Sequence, residues 1–219
     1  VATLKVATLT ARRDDARRNR ETILRVADGA FADGSDAVPL DEIARRAGLG
    51  RATVYRHFPD RHALAVAVAA QNLEALREVV RAEGDDRCGF RDILGMVFST
   101  QASMRPLVAL MLELPVREQL QYTEALIEAL TPPFRQAQAD GELRPDAEPA
   151  DLALVMAMIN TAVDAVPVGI DHGAALRRVI AMILDGLFGP ATPVDDQDRA
   201  ADPEESEAAR SLCRTRRFV

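Results

Sequence analysis

Between Pro39 and Pro59 the chain has room for only two short helices and a glycine-bounded turn, and this segment constrains the fold most. Leu40, Ile43, Ala44 and Ala47 recur at helical spacing. Pro39 suits a first helical position, and Gly48 suits the end because it takes positive φ without a Cβ clash. After Leu49 and Gly50, a second run extends from Arg51 to Phe58, where Pro59 stops it. Helices of about eight residues are marginal alone, so both need packing. Residues 20–33 supply it, with Ile23, Leu24, Ala27, Ala30 and Phe31 on one face before Gly34. The small Ala44 and Ala47 permit close approach, and the arrangement fits a helix-turn-helix.

On the second short helix Val54 and Phe58 are four apart and face inward. Arg51, Ala52, Thr53, Tyr55, Arg56 and His57 occupy the remaining circumference. That set suits duplex DNA. Arginine can fork onto guanine, alanine can meet a thymine methyl, and the hydroxyls and imidazole can donate to phosphate oxygens. Gly50 as N-cap leaves the first N–H groups uncovered by a side chain. Arg61 follows Pro59 within reach of the same backbone. Arg12, Arg13, Arg17, Arg18 and Arg20 precede the first helix and can track phosphates or a minor groove.

The overall charge of −7 and pI of about 5.1 point away from nucleic acid. They average two unlike regions. Residues 1–62 carry eleven arginines and Lys5 against nine acidic residues, a net +3, and the rest of the chain carries −10. A basic head on an acidic body implies two tasks.

The rest of the chain also reads as helices, without sustained β-branched alternation. A long helix is expected from Asp60 to Glu83, then segments at 90–104, 106–113 and 116–131. Pro132-Pro133 is expected to restart the chain as a separate piece reaching Asp140. Two helices follow at about 150–166 and 172–188, split by Pro167 and Gly169. The expected fold is all-α, a three-helix helix-turn-helix domain followed by a larger helical domain. Its divisions are a flexible basic arm at 1–19, the DNA-binding domain at 20–62, the larger domain at 63–189 and a flexible charged tail at 190–219.

Residues 21–64, ETILRVADGAFADGSDAVPLDEIARRAGLGRATVYRHFPDRHAL, resemble the DNA-binding domain of the tetracycline-repressor (TetR) family of bacterial transcription regulators. The resemblance is carried by Ile43-Ala44, Ala47-Gly48-Leu49, Thr53-Val54-Tyr55, His57-Phe58 and Leu64. It implies that Thr53, Tyr55 and His57 contact phosphates or bases, and that Arg61 stands where a phosphate-binding Lys is common. Three positions depart from the family pattern. Gly50 replaces a Ser or Thr cap, Ala52 stands where Gly is frequent, and Pro39 replaces a Thr-rich start.

The helix at 150–166 is apolar on both sides, and that at 172–188 has a similar excess. Such helices need two neighbours, most simply the body and a twin. The resemblance implies a four-helix homodimer, for which Leu154, Met158, Thr161, Ala162, Val179, Met182 and Ile183 are the candidates. It also implies an inducer cavity for a small-molecule effector. The candidates there are Phe98, Gln101, Met104, Leu107, Met111, Tyr122, Met156 and Asn160, a Met-rich and aromatic set suited to apolar ligands.

The function expected is a ligand-responsive regulator, a repressor released from a pseudo-palindromic operator in double-stranded DNA. Alternatives are a helical carrier or enzyme with an attached DNA-binding head, and a sequence-neutral DNA architectural protein. No nucleophile–base pair or phosphate-cradling loop supports catalysis, and Gly48-Leu49-Gly50 follows a helix rather than a strand. Cys88 and Cys213 lack partners at metal spacing, so no metal site or cofactor is expected, and reduced cytoplasmic thiols fit them. The start VATLKVATLT is a poor secretory leader, and the most apolar stretch is broken by Asn160, Thr161 and Asp164. Neither a membrane partner nor export is expected.

Overall fold

The computed structural model describes residues 2–33, 39–82, 89–164 and 171–188. They form α1 (Ala2–Ala32), α2 (Leu40–Ala47), α3 (Arg51–His57), α4 (Arg61–Arg81), α5 (Phe90–Ser103), α6 (Arg105–Leu112), α7 (Val116–Ala139), α8 (Asp151–Asp164) and α9 (His172–Leu187). The only β pairing among them is one antiparallel bridge, Leu143 to Phe188, so the chain is all-α as expected. No single described helix is long and apolar enough to cross a membrane. Gly34, both cysteines, Pro167, Gly169 and the tail at 190–219 lie outside the described residues.

The described residues up to Gln71, with Met104–Leu114, make the first of two compact units. Ile23, Ala27, Ala30 and Phe31 of α1 pack with Leu40, Ile43 and Ala44 of α2, Val54 of α3 and Phe58. α4 adds Leu64, Ala65 and Val68. Pro39 is the N-cap of α2 rather than its first helical residue, at φ −62°, and its carbonyl accepts from the N–H groups of Glu42 and Ile43. At the other end Gly48 sits at φ +66°. There Gly48 N–H donates to Arg45 O at 3.2 Å and Leu49 N–H to Ala44 O at 3.0 Å. This left-handed stop closes the orphan carbonyls of α2 and sends the chain into α3.

Two features of this unit differ from the sequence expectation. Residues 2–19, expected as an arm, are helical and continuous with the rest of α1. No Gly or Pro occurs before Gly29, and the pairs Arg18–Asp15 and Arg17–Glu21 bridge successive turns. The second difference is α6, expected within the larger domain at 63–189. Met104, Leu107 and Leu110 repeat every three residues and are buried in the first unit's core, where α6 packs against α1.

The second unit runs from Asn72 to Ser103 and resumes at Pro115. Its core joins Leu73 and Leu76 of α4, Leu94 and Phe98 of α5, Leu130 and Phe134 of α7, Leu152, Met156 and Ile159 of α8, and Ile180 and Leu184 of α9. Phe90 meets Phe134 edge to face, with centroids 5.8 Å apart. Here the structure corrects the division at Pro132-Pro133, because α7 passes through both prolines. Leu130, Phe134 and Ala137 form one buried stripe across them, so packing holds the helix where backbone hydrogen bonds are lost. Just past the end of α7, Gly141 takes φ +74° and Glu142 N–H reaches back to Ala137 O at 2.9 Å. The Asp171 carboxylate caps α9 by accepting from Ala174 N–H at 3.1 Å, which lowers its pKa.

Candidate nucleic-acid interface

α3 is fixed from beneath by Val54, fully buried within it, and by Phe58, whose N–H donates to Val54 O at 2.9 Å. With two inward anchors four residues apart, the rest of this helix turns outward. Arg51, Ala52, Tyr55 and Arg56 are exposed, and Thr53 and His57 are half-buried. Tyr55 is 47% exposed, a large aromatic ring left outside the core. No side chain caps the N-terminus of α3, and no acidic residue lies in its first turn. The expected outward set is therefore presented on one short helix.

The charged members are held by neighbours. Arg51 Nη1 pairs with Asp41 Oδ2 of α2 at 3.2 Å. Arg56 folds back along its own helix, donating from Nε to Ala52 O at 3.1 Å and from Nη2 to Thr53 Oγ1 at 3.3 Å. Arg20, read from sequence as a phosphate-tracking residue, lies over the Phe58 ring. His57 has its pKa lowered, first by desolvation and then by the charges of Arg20 and Arg56. Arg61 opens α4, and its Nε is buried without an acceptor among the described residues.

On α2, Glu42 bridges Arg45 and Arg46, and these hydrogen bonds lower its carboxyl pKa to about 2. Arg46 also pairs with Asp33, 3.6 Å away. Sequence reasoning missed Asp41 and Glu42 as electrostatic partners. The i,i+3 and i,i+4 spacing of Glu42 to Arg45 and Arg46 was visible, whereas the Asp41–Arg51 pair depends on the turn geometry.

Comparison with known proteins bears on the same segment. The family model for bacterial regulatory proteins of the tetR family matches residues 23–68. An uncharacterized HTH-type transcriptional regulator of Mycobacterium bovis is 44% identical over 66 residues, which span 30% of this chain and 35% of that protein. The match thus covers about a third of that curated relative. A TetR transcription regulatory protein of Mycobacterium vanbaalenii is 30% identical, with 81% of this chain and 99% of that structure aligned at a TM-score of 0.55. The chain belongs to the TetR family. A TetR transcriptional regulator of Streptomyces coelicolor is also similar, 26% identical over 78% of this chain and 99% of that one, at a TM-score of 0.58.

In this TetR-family chain the expected effector residues fall into two groups. Phe98, Gln101, Tyr122, Met156 and Asn160 belong to the second unit. Gln101 Nε2 donates to Met156 O at 3.0 Å and to Asn160 Oδ1 at 2.8 Å. Burial pushes the Tyr122 phenol pKa up. Met104 and Leu107 are instead core residues of the first unit, with Met111 packed against them. Of the expected dimer residues, Leu154, Met158 and Met182 are 66%, 61% and 64% exposed. Thr161 is exposed as well, whereas Ala162, Val179 and Ile183 are half-buried. Ile183 packs on the second unit's own core. Among the described residues no group of three His, Cys, Asp or Glu side chains could hold a metal ion.

Proposed function

We propose that this TetR-family transcription regulator binds double-stranded operator DNA as a homodimer and is a repressor released by a small molecule. The observation that carries the reading is the outward face of α3, built on buried Val54 and Phe58. In this reading Arg51, Ala52 and Arg56 meet base edges, and Thr53, Tyr55 and His57 meet phosphates or bases. Arg61, half-buried at the start of α4, adds a phosphate contact. Residues 20–62 carry the DNA contacts, and residues 63–189 carry effector binding and dimerisation, apart from the α6 core residues.

Three large apolar side chains exposed on α8 and α9, Leu154, Met158 and Met182, support a second copy as the missing neighbour. A two-fold dimer reads a pseudo-palindromic site with half-sites set by helical turns. α4 contributes Leu64 and Val68 to one core and Leu73 and Leu76 to the other, which makes it the element through which an effector would act. To lower occupancy about a thousandfold, that effector must favour the released state by ~4 kcal/mol. Regulation rather than catalysis, in the cytoplasm, is the role that the regulator relatives support.

Selection of bound fragments from the source genome, followed by salt-controlled competition, tests the reading. One enriched pseudo-palindrome, bound far more tightly than bulk duplex, is expected. Equal affinity for every duplex would defeat it in favour of an architectural protein.

A further inference from the structure

Gln101 lies near the end of α5, facing two adjacent turns of α8. Both hydrogen bonds it makes there come from its Nε2, to Met156 O and Asn160 Oδ1. A main-chain carbonyl only accepts, so Met156 O fixes which end of the amide faces α8. The oxygen is thereby turned away. Gln101 Oε1 is buried and has no donor among the described residues. Buried acceptors are normally satisfied, and one left open has use for a donor from outside the chain. Gln101 and Asn160 are only half-buried as residues, so part of this polar cluster remains accessible.

The surroundings restrict what could bring that donor. Met156, whose carbonyl takes one of these bonds, is apolar and buried, as are Phe98 one turn before Gln101 on α5 and Ile159 beside Asn160 on α8. Every described Asp, Glu, Lys and Arg side chain on α5, α7, α8 and α9 is exposed, and the half-buried Arg77 of α4 is already paired with Glu74. A charged molecule entering here would lose its hydration without gaining a counter-charge. The Tyr122 phenol, packed against the same core, stays protonated and adds no charge.

We propose that Gln101 Oε1 is the hydrogen-bond anchor for an uncharged, mainly apolar small molecule that carries a hydroxyl or N–H donor. This rests on the reading of the second unit as the effector domain, and it names the effector's chemical class. An apolar body packs against Met156 beside the half-buried Gln101 and Asn160, and its single donor closes the open acceptor. Among the described residues of α5, α7, α8 and α9 no buried cation is on hand for an anion, and an ether in place of the hydroxyl leaves Oε1 unpaired.

Calorimetric titration of the full chain with 2-naphthol, 2-methoxynaphthalene and 2-naphthoate tests this. The naphthol is expected to bind about tenfold more tightly than the ether, the worth of one hydrogen bond, and the naphthoate more weakly than either. Gln101→Met keeps the length of the side chain without its acceptor and should erase the naphthol–ether difference. The wild-type ratio is decisive by itself should that variant fail to fold. Equal binding of naphthol and ether would overturn the proposal and assign Oε1 to an ordered water. No naphthol binding, tighter naphthoate binding, or a preference that survives in Gln101→Met would overturn it too. The operator affinity of the same samples separates the two readings. A Gln101-dependent naphthol preference that leaves DNA affinity unchanged keeps the anchor and removes the regulatory role. Release of DNA by naphthol and ether alike keeps the regulatory role and removes the anchor.

Discussion

Asp41 holds Arg51 across the turn of the helix-turn-helix, carboxylate oxygen to guanidinium nitrogen at 3.2 Å. The pair joins the first turn of α2 to the first residue of α3, so an acidic group sits beside an arginine assigned to base edges. Asp41→Asn removes that charge at little structural cost, because exposed pairs contribute under about 1 kcal/mol. Affinity for all duplexes should rise and the salt dependence steepen, while discrimination at the Arg51 base pair falls. Anisotropy titrations over a salt series check this, and an unchanged slope would sink the role given to Asp41.

Tyr55 and Arg61 test the phosphate assignments separately. Tyr55→Ala should weaken binding to every sequence without altering the salt slope, since no charge is lost. Arg61→Ala should weaken binding as uniformly but reduce the slope by about one. With Tyr55 half exposed, the melting temperature should hardly move in the first variant. Full affinity in both variants would show the contacts to be misassigned.

Phe58 supports α3 from below and also receives the Arg20 guanidinium, 4.7 Å from its centroid. Phe58→Ala is expected to cost about 3–5 kcal/mol, and Arg20→Ala only about 0.5–1 kcal/mol. Urea unfolding distinguishes them. A comparable loss from both would mean that the stacked arginine does more than cover the ring.

The arginine bridge of Glu42 predicts a specific acid response. Its carboxyl is shifted from an ordinary 4.5 to about 2 by hydrogen bonds from Arg45 and Arg46. A lowered folded-state pKa gives stability that is fully present above the unfolded value and is lost as pH falls through the folded one. The stability gap between the native chain and Glu42→Gln should therefore be constant above about pH 5 and close between about 4.5 and 2. Thermal melts at stepped pH measure it, and a gap that persists at pH 2 would exclude the bridge as its source.

Leu154→Glu combined with Met158→Glu places two charges on the exposed face of α8. Both side chains lie outside the core of the single chain, so helicity should be preserved. Sedimentation should show a monomer, and operator affinity should fall by more than a hundredfold as the two-site advantage is lost. A dimer that persists would place the interface elsewhere.

The head of the molecule was legible because its cues are local. Gly48 ends α2 for a conformational reason, Pro59 stops α3, and Val54 and Phe58 fix the outward face by their spacing. What stayed hidden depends on residues far apart in the chain. Met104, Leu107 and Leu110 look like ordinary apolar positions, and only the tertiary fold assigns them to the first unit's core. Gln101 and Asn160 are 59 residues apart, and nothing in either neighbourhood announces their bond. At Pro132-Pro133 the local rule was sound, but a buried stripe outweighed it.

Those prolines also shape how the native state opens. Neither supplies an N–H, so the carbonyls of Glu128 and Ala129 have no helical donor four residues on. α7 therefore lacks two consecutive rungs of its hydrogen-bond ladder here, and the buried stripe of Leu130, Phe134 and Ala137 holds the helix together across the gap. Hydrogen exchange along α7 should show a local minimum of protection around these prolines within an otherwise protected helix.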